Sequence, residues 1–129
     1  MGESEADGGR AIAVQADVVD EAAIVAMFET VDRELGRVEV LVNNAGVVDQ
    51  ISRVDEMSFE RVDRMMKINV VGPFICAREA IKRMSTRHGG KGGVIVNVGS
   101  AASHLGGAGE YIDYAASKGA IDVMTEGLS

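Results

Sequence analysis

Apolar residues recur along the chain at two different spacings, which predicts an alternation of strands and helices. Residues 10–17 (RAIAVQAD) alternate apolar and polar side chains, as a half-buried strand does. Residues 38–44 and 93–100 are runs rich in β-branched side chains bounded by glycine or asparagine, and they predict two further strands.

Steps of three and four residues between apolar positions predict helices after each strand. The first begins at Asp20, which suits an N-cap, and stops at Gly36. The second region begins after Ser58, and we expect Pro73 to divide it into two helices joined at a bend, because proline interrupts a helix interior. The last helix begins near Tyr111 and runs to the C-terminus.

This order of elements predicts an α/β fold with a parallel sheet and helices packed on both of its faces. No internal repeat, low-complexity tract or linker interrupts the pattern. We therefore interpret residues 1–129 as a single domain.

The composition of the chain argues against several classes of function from the start. A formal net charge of −7 disfavours a nucleic-acid partner, and no apolar run approaches the roughly 18 residues of a membrane span. The single cysteine, Cys76, suits a cytoplasmic protein and is expected to act as a small core residue. His88 and His104 have no partner at metal-ligand spacing, so no metal site is expected.

The stretch EYIDYAASKGA holds both tyrosines of the chain, Tyr111 and Tyr114, together with Lys118. On a helix, Tyr114 and Lys118 lie one turn apart on the same face, whereas Tyr111 lies about two turns from the lysine. A nearby cation favours the ionised form of a phenol, so Tyr114 is the tyrosine predicted to exchange protons. Taken alone, the pair is better explained as a surface contact, because a tyrosine four residues before a lysine is common by chance.

Polar and small residues follow each predicted strand. Asp17, the run NNAG at 43–46 and Ser100 stand at the carboxyl ends of the three strands, where ligands bind in open parallel sheets. Asn69 precedes Pro73 by four residues, so its backbone carbonyl is expected to be available to water.

Four of these motifs, in this order, resemble markers of the classical short-chain dehydrogenase/reductase family: NNAG, the asparagine of KINVVGPF, the serine of NVGS, and YAASK. The resemblance covers about residues 10–129 and implies a three-layer Rossmann-like fold. It implies hydride transfer between NAD or NADP and a small-molecule alcohol/ketone pair. Tyr114 would be the acid/base, Lys118 its electrostatic partner, Ser100 the substrate-orienting hydroxyl and Asn69 the holder of a relay water.

The same resemblance implies a cofactor-binding set. Asp17 and Val18 would flank the adenine, and Asn44, Ala45 and Gly46 would line the adenosine ribose. Lys118 would hold the nicotinamide ribose, and Tyr114 also belongs to the set. The identity of the substrate and the choice between NAD and NADP do not follow from these residues.

The departures from the family pattern are equally informative. No glycine-rich turn follows a first strand, and the family's first two strands and last strands have no counterpart, so we expect a chain truncated at both ends. The strand at 10–17 would then lack its usual neighbours. It would pair with 38–44, pair with another chain, or fray.

Two functional interpretations stay open. The first is an NAD(P)-dependent oxidoreductase. The second is an inactive fragment that self-associates through helices 74–87 and 111–128, as related proteins form homo-oligomers, with Met84, Ile121 and Met124 as contact residues.

Overall fold

The fold contains a parallel two-stranded sheet, seen in a computed structural model that describes residues 9–44, 46–47, 49–98 and 112–128. Strand β1 spans Val40–Asn43 and strand β2 spans Val94–Asn97. The register sets Val40 opposite Val94 and Asn43 opposite Asn97. The predicted α/β class is confirmed, and both strands lie inside the predicted runs.

The described residues also form four α-helices. They are α1 (Glu21–Leu35), α2 (Phe59–Met66), α3 (Gly72–Met84) and α4 (Ile112–Leu128). A π-helical segment, Lys67–Val71, connects α2 to α3, and short 3₁₀ helices lie at Val54–Glu56 and Thr86–His88. None of the helices in the described ranges combines the length and hydropathy needed to cross a bilayer.

Local capping sets the ends of α1, as predicted. The Asp20 carboxylate accepts the Ala23 N–H at 3.2 Å, which satisfies a donor that has no partner within the helix. At the other end, Gly36 adopts a φ of 93° and its N–H donates to the Val31 carbonyl. Both signals are local, so the sequence alone is sufficient to place this helix.

The predicted strand at 10–17 is wrong, because these residues form no strand in the structure. A strand requires a neighbour to pair its backbone groups, and β1 pairs with β2 instead. Direct pairing with residues 38–44, one of the three outcomes considered for this stretch, is therefore wrong. Arg10 nevertheless holds the stretch near α1 through an ion pair with Glu34 at 3.3 Å.

The prediction that the helix breaks at Pro73 is also wrong. The backbone stays helical from α2 to α3, and the irregularity is the widened turn upstream, where the Gly72 N–H donates to the Lys67 carbonyl five residues back. Pro73 lies in the first turn of α3, where its missing N–H is tolerated. The irregularity that we assigned to a break at Pro73 is therefore the π segment.

A compact core joins α1, α3 and one face of the sheet. Its buried members are Ile24, Phe28, Cys76, Ala80 and Met84, with Leu41 and Ile95 of the strands packed against them. The valines on the opposite face of the sheet are 45–59% exposed: Val40, Val42, Val94 and Val96. Within the described residues, the helices thus cover one face of the sheet.

The residues predicted for self-association are buried within the chain itself. Met84 is 5% exposed, Ile121 3% and Met124 6%. Met84 belongs to the core, and α4 packs against α2, the π segment and β2. These three side chains are therefore unavailable for a helix-mediated contact between copies, and that part of the prediction is wrong.

Glu79 is a buried carboxylate at the junction of α1 and α3. It is 4% exposed and forms ion pairs with Arg78, Lys82 and Arg83, while Arg83 also pairs with Asp32 of α1 at 2.9 Å. Burial alone would raise the pKa of the Glu79 carboxyl, but hydrogen bonds from the three cations hold this pKa below its ordinary value of 4.5.

We predict that Phe28→Ala lowers the free energy of unfolding by about 3–5 kcal/mol, because it removes a buried aromatic ring and leaves a cavity. Urea denaturation followed by far-UV circular dichroism measures the change. Phe59→Ala is the matched control, since Phe59 is 78% exposed whereas Phe28 is 3% exposed. Equal effects of the two substitutions would contradict this description of the core.

We predict that Glu79→Gln weakens the acid dependence of stability. A carboxyl whose pKa is lowered on folding contributes stability above its unfolded pKa, and that contribution is lost as the pH falls through the folded pKa. Urea denaturation of the Gln variant should show lower stability at neutral pH and a shallower decline below pH 4.5. Exposed Glu29→Gln is the control, and an unchanged acid profile for Glu79→Gln would refute the prediction.

Candidate active site

Asn69 is the centre of the candidate site and is fully buried. Its Oδ1 accepts the Val47 N–H at 2.8 Å, and its Nδ2 donates to the Val47 carbonyl at 2.8 Å and to the Ser117 Oγ at 3.1 Å. Nδ2 also lies 3.1 Å from the Met65 Sδ. This one side chain therefore joins the loop after β1, the π segment and α4.

Tyr114 and Lys118 share one face of α4. The Lys118 Nζ lies 5.9 Å from the centroid of the Tyr114 ring. Lys118 is 6% exposed and Tyr114 is half-buried, so the ammonium group is shielded from bulk water while the ring keeps some access to it. The one-turn spacing thus brings a cation beside the phenol, as the sequence predicts.

Ser117 connects the asparagine to the tyrosine. It is fully buried, and its Oγ donates to the Tyr114 carbonyl at 2.7 Å while accepting from Asn69. No role for Ser117 was predicted from the sequence, although a serine three residues after a helical residue can bond to that residue's carbonyl. The identity of its second partner depends on tertiary structure.

Lys118 reaches from α4 to the end of the sheet. Its Nζ donates to the Val98 carbonyl, just after β2, at 3.4 Å. A Cβ built at Gly46 would lie 3.0 Å from this Nζ and 3.4 Å from the Asn69 Oδ1. Gly46 therefore approaches the ammonium group closely, and a side chain at this position would crowd Nζ.

Two paired asparagines fix the strand ends relative to the helices. The Asn43 Nδ2 donates to the Asn97 Oδ1 at 2.9 Å and to the Pro73 carbonyl at 3.4 Å. The Asn97 Nδ2 donates to the Thr125 Oγ1 at 2.9 Å. These bonds run from α3 through both strands to α4.

A buried ion pair that sequence analysis missed lies beside Tyr114. The Arg61 Nε donates to the Asp113 Oδ2 at 2.9 Å and the Arg61 Nη2 to the Asp113 Oδ1 at 3.4 Å. Burial alone would raise the pKa of Asp113, but the hydrogen bonds from Arg61 and from the Tyr114 N–H hold this pKa below its ordinary value of 3.8. Asp113 is therefore a carboxylate at neutral pH.

The structure also describes three other residues predicted to bind a cofactor, Asp17, Val18 and Asn44. The Asp17 carboxylate accepts the Val19 N–H at 3.0 Å, within an exposed turn. Val18 packs against Gly72, where a Cβ would come within 2.9 Å of the Val18 carbonyl. Asn44 is exposed directly after β1. Ser100 and Ala45, also predicted to belong to the site, lie outside the described residues, as do Tyr111 and His104.

A groove of about 400 Å³ lies along β2, away from this cluster. Its lining includes Met84, Ile95, Asn97, Thr125 and Leu128, and neither Tyr114 nor Lys118 contributes to it. The convergence of buried polar groups favours the Asn69 cluster as the functional site, because ligand sites depend on a few placed polar groups as well as volume.

Almost the whole length of this chain is similar to parts of known proteins. It is 52% identical over 122 residues to an uncharacterized oxidoreductase of Escherichia coli (strain K12), YgfF, covering 95% of this chain and 49% of that protein. It is 35% identical over 123 residues to glucose 1-dehydrogenase 2 of Bacillus subtilis (strain 168), covering 95% and 46%. The chain therefore spans about half the length of these relatives.

A solved structure has the same fold. The crystal structure of a blue fluorescent protein from a metagenomic library, in complex with NADPH, matches with a TM-score of 0.87 and 39% identity. The match covers 98% of this chain and 49% of that one. In addition, the family model described as short chain dehydrogenase matches residues 1–129. The chain belongs to the short-chain dehydrogenase family.

Proposed function

We propose that this chain supplies the proton-transfer residues of an NAD(P)-dependent oxidoreductase that interconverts a small alcohol and the corresponding carbonyl compound. The observation that carries the proposal is the buried cluster of Asn69, Ser117 and Lys118, with Tyr114 beside the lysine. Its support also includes the family of the chain and the NADPH bound by a structural relative.

Tyr114 acts as the acid/base in this proposal. In the direction of reduction its hydroxyl donates a proton to the substrate oxygen, and in the direction of oxidation it takes that proton back. Lys118, whose ammonium lies over the ring, stabilises negative charge that develops on the phenol. When bound, the nicotinamide cofactor supplies or accepts the hydride.

Lys118 also fits a role in holding a ribose hydroxyl. An ammonium group has three donors, and the contact from Nζ to the Val98 carbonyl, at 3.4 Å, is long. A Cβ at Gly46 would lie 3.0 Å from Nζ, so glycine keeps this side of the ammonium group uncrowded. A ribose hydroxyl placed near Nζ would accept a hydrogen bond from Lys118.

Asn69 holds this arrangement in place through its side chain, which is fully bonded within the protein. Pro73, four residues downstream, has no N–H to donate to the Asn69 carbonyl, so that carbonyl could hold a water that passes protons towards Lys118. Ser100 would orient the substrate oxygen. Asp17 and Val18 would flank the adenine.

Asn44, Ala45 and Gly46 would line the adenosine ribose, as residues at the carboxyl end of a parallel strand often do for nucleotides. Asn44 is exposed there and Gly46 is adjacent to Lys118. The same edge of the sheet would thus contact both the adenosine and the nicotinamide halves of the cofactor.

We predict that the chain changes the nicotinamide fluorescence of NADH or NADPH on mixing, and that Tyr114→Phe leaves this binding intact. The phenylalanine keeps the ring but removes the proton donor, so turnover of alcohol or carbonyl substrates should fall by about 10²–10⁴-fold. Fluorescence titration measures the binding, and absorbance of the reduced nicotinamide measures the turnover.

Tyr111→Phe serves as the control, because it removes the other tyrosine and is expected to retain turnover. Undiminished turnover in Tyr114→Phe would discard the acid/base assignment. Failure of both NADH and NADPH to bind the unmodified chain would instead reject the proposed cofactor site.

A further inference from the structure

The Arg61–Asp113 ion pair joins two helices directly beside Tyr114. The Arg61 side chain is 12% exposed and the Asp113 side chain 2%, so the pair is largely removed from water. Two hydrogen bonds connect the guanidinium to both carboxylate oxygens. This two-point contact fixes the direction as well as the distance between the partners.

Asp113 transmits this contact to the tyrosine backbone. Its Oδ1, which accepts from the Arg61 Nη2, also accepts the Tyr114 N–H at 2.9 Å. Backbone N–H groups in the first turn of a helix have no acceptor within the helix, so this carboxylate satisfies one of them. A negative charge is also favourable near a helix N-terminus.

Arg61 is itself held at the start of α2. Its backbone N–H donates to the Oγ of Ser58, which caps this helix, at 3.1 Å. The ion pair therefore ties the first turn of α2 to the first turn of α4. Loss of the pair would remove this tie between α2 and the tyrosine end of α4.

A second attachment among the described residues lies one turn further along α4. Ser117 bonds to Asn69, and Lys118 bonds to the Val98 carbonyl. Tyr114 thus stands between two fixed points, Asp113 on one side and Ser117 with Lys118 on the other. Fixing both sides of a residue restricts the position of its backbone, and with it the direction in which the side chain leaves the helix.

We propose that Arg61 and Asp113 are positioning residues that orient the Tyr114 ring against Lys118 for proton transfer. The catalytic part of this statement rests on the proposed function above. The orientation of the ring can be measured without turnover, so the two proposals can fail separately.

The test measures the near-UV circular dichroism of Tyr114, which reports the environment of its ring. The chain contains no tryptophan, so Tyr111→Phe leaves Tyr114 as the single tyrosine. In this background we compare near-UV circular dichroism of Arg61→Met, Arg61→Lys and Asp113→Asn, with far-UV spectra as a check on helix content. Asp113→Asn keeps an acceptor for the Tyr114 N–H, but it removes the charge and one of the two oxygens that accept from Arg61.

We expect Arg61→Met and Asp113→Asn to lose most of the Tyr114 near-UV signal while their far-UV spectra stay unchanged. Arg61→Lys, which keeps the charge, should retain more of the signal than Arg61→Met. Arg83→Met is the matched control, since Arg83 is 15% exposed and forms a 2.9 Å ion pair with Asp32 at the contact between α1 and α3. It should leave the Tyr114 signal unchanged.

Turnover gives a second comparison for the same variants. A misplaced acid/base group slows the chemical step. Asp113→Asn should therefore lower kcat by about tenfold to 100-fold, with little change in KM for the cofactor. If the unmodified chain shows no turnover, the proposed function fails and the spectroscopic comparison still decides whether the pair orients Tyr114.

Three results would overturn the proposal. The first is a native Tyr114 signal in Asp113→Asn. The second is an equal loss of signal in Arg83→Met, which would indicate general loosening of the fold. The third is a loss of helix in Asp113→Asn, which would make the pair a requirement for folding and not a positioning contact.

Discussion

The candidate site depends on one buried amide. Asn69 has no exposure to solvent, and its side chain both donates to and accepts from the backbone of Val47 while donating to Ser117. An unsatisfied polar group in such a place would cost free energy, so these bonds specify one arrangement of the three segments that they join. The positions of Lys118 and Tyr114 follow from that arrangement, because the two residues flank Ser117 on the same helix.

The π segment explains how Asn69 reaches both of its partners. Five residues, Lys67–Val71, form a widened turn between α2 and α3, and Asn69 lies at its middle. Such widened turns are rare in proteins overall, but those that occur often lie at functional sites. Pro73 follows at a position where its missing N–H costs little, so the chain continues as a helix and the asparagine is directed inward.

Local signals in the sequence predicted some features well. The caps at Asp20 and Gly36 determine α1 within a few residues, and the four-residue spacing of Tyr114 and Lys118 determines their common face. Features that depend on distant segments were missed or wrong. The strand at 10–17 failed because a strand needs a neighbour, and the partner of Ser117 is 48 residues away in the chain, where no local spacing indicates it.

Hydrogen exchange in the Asn69→Leu variant, followed by NMR, tests the central claim most directly. Leucine has a similar shape and removes every polar bond of the side chain. If the amide links the three segments, protection should fall together at the Val47 N–H and along the first half of α4, while α1 keeps its protection. Loss at Val47 with no change in α4, or unchanged protection at both, would show that the amide does not hold the tyrosine helix in place.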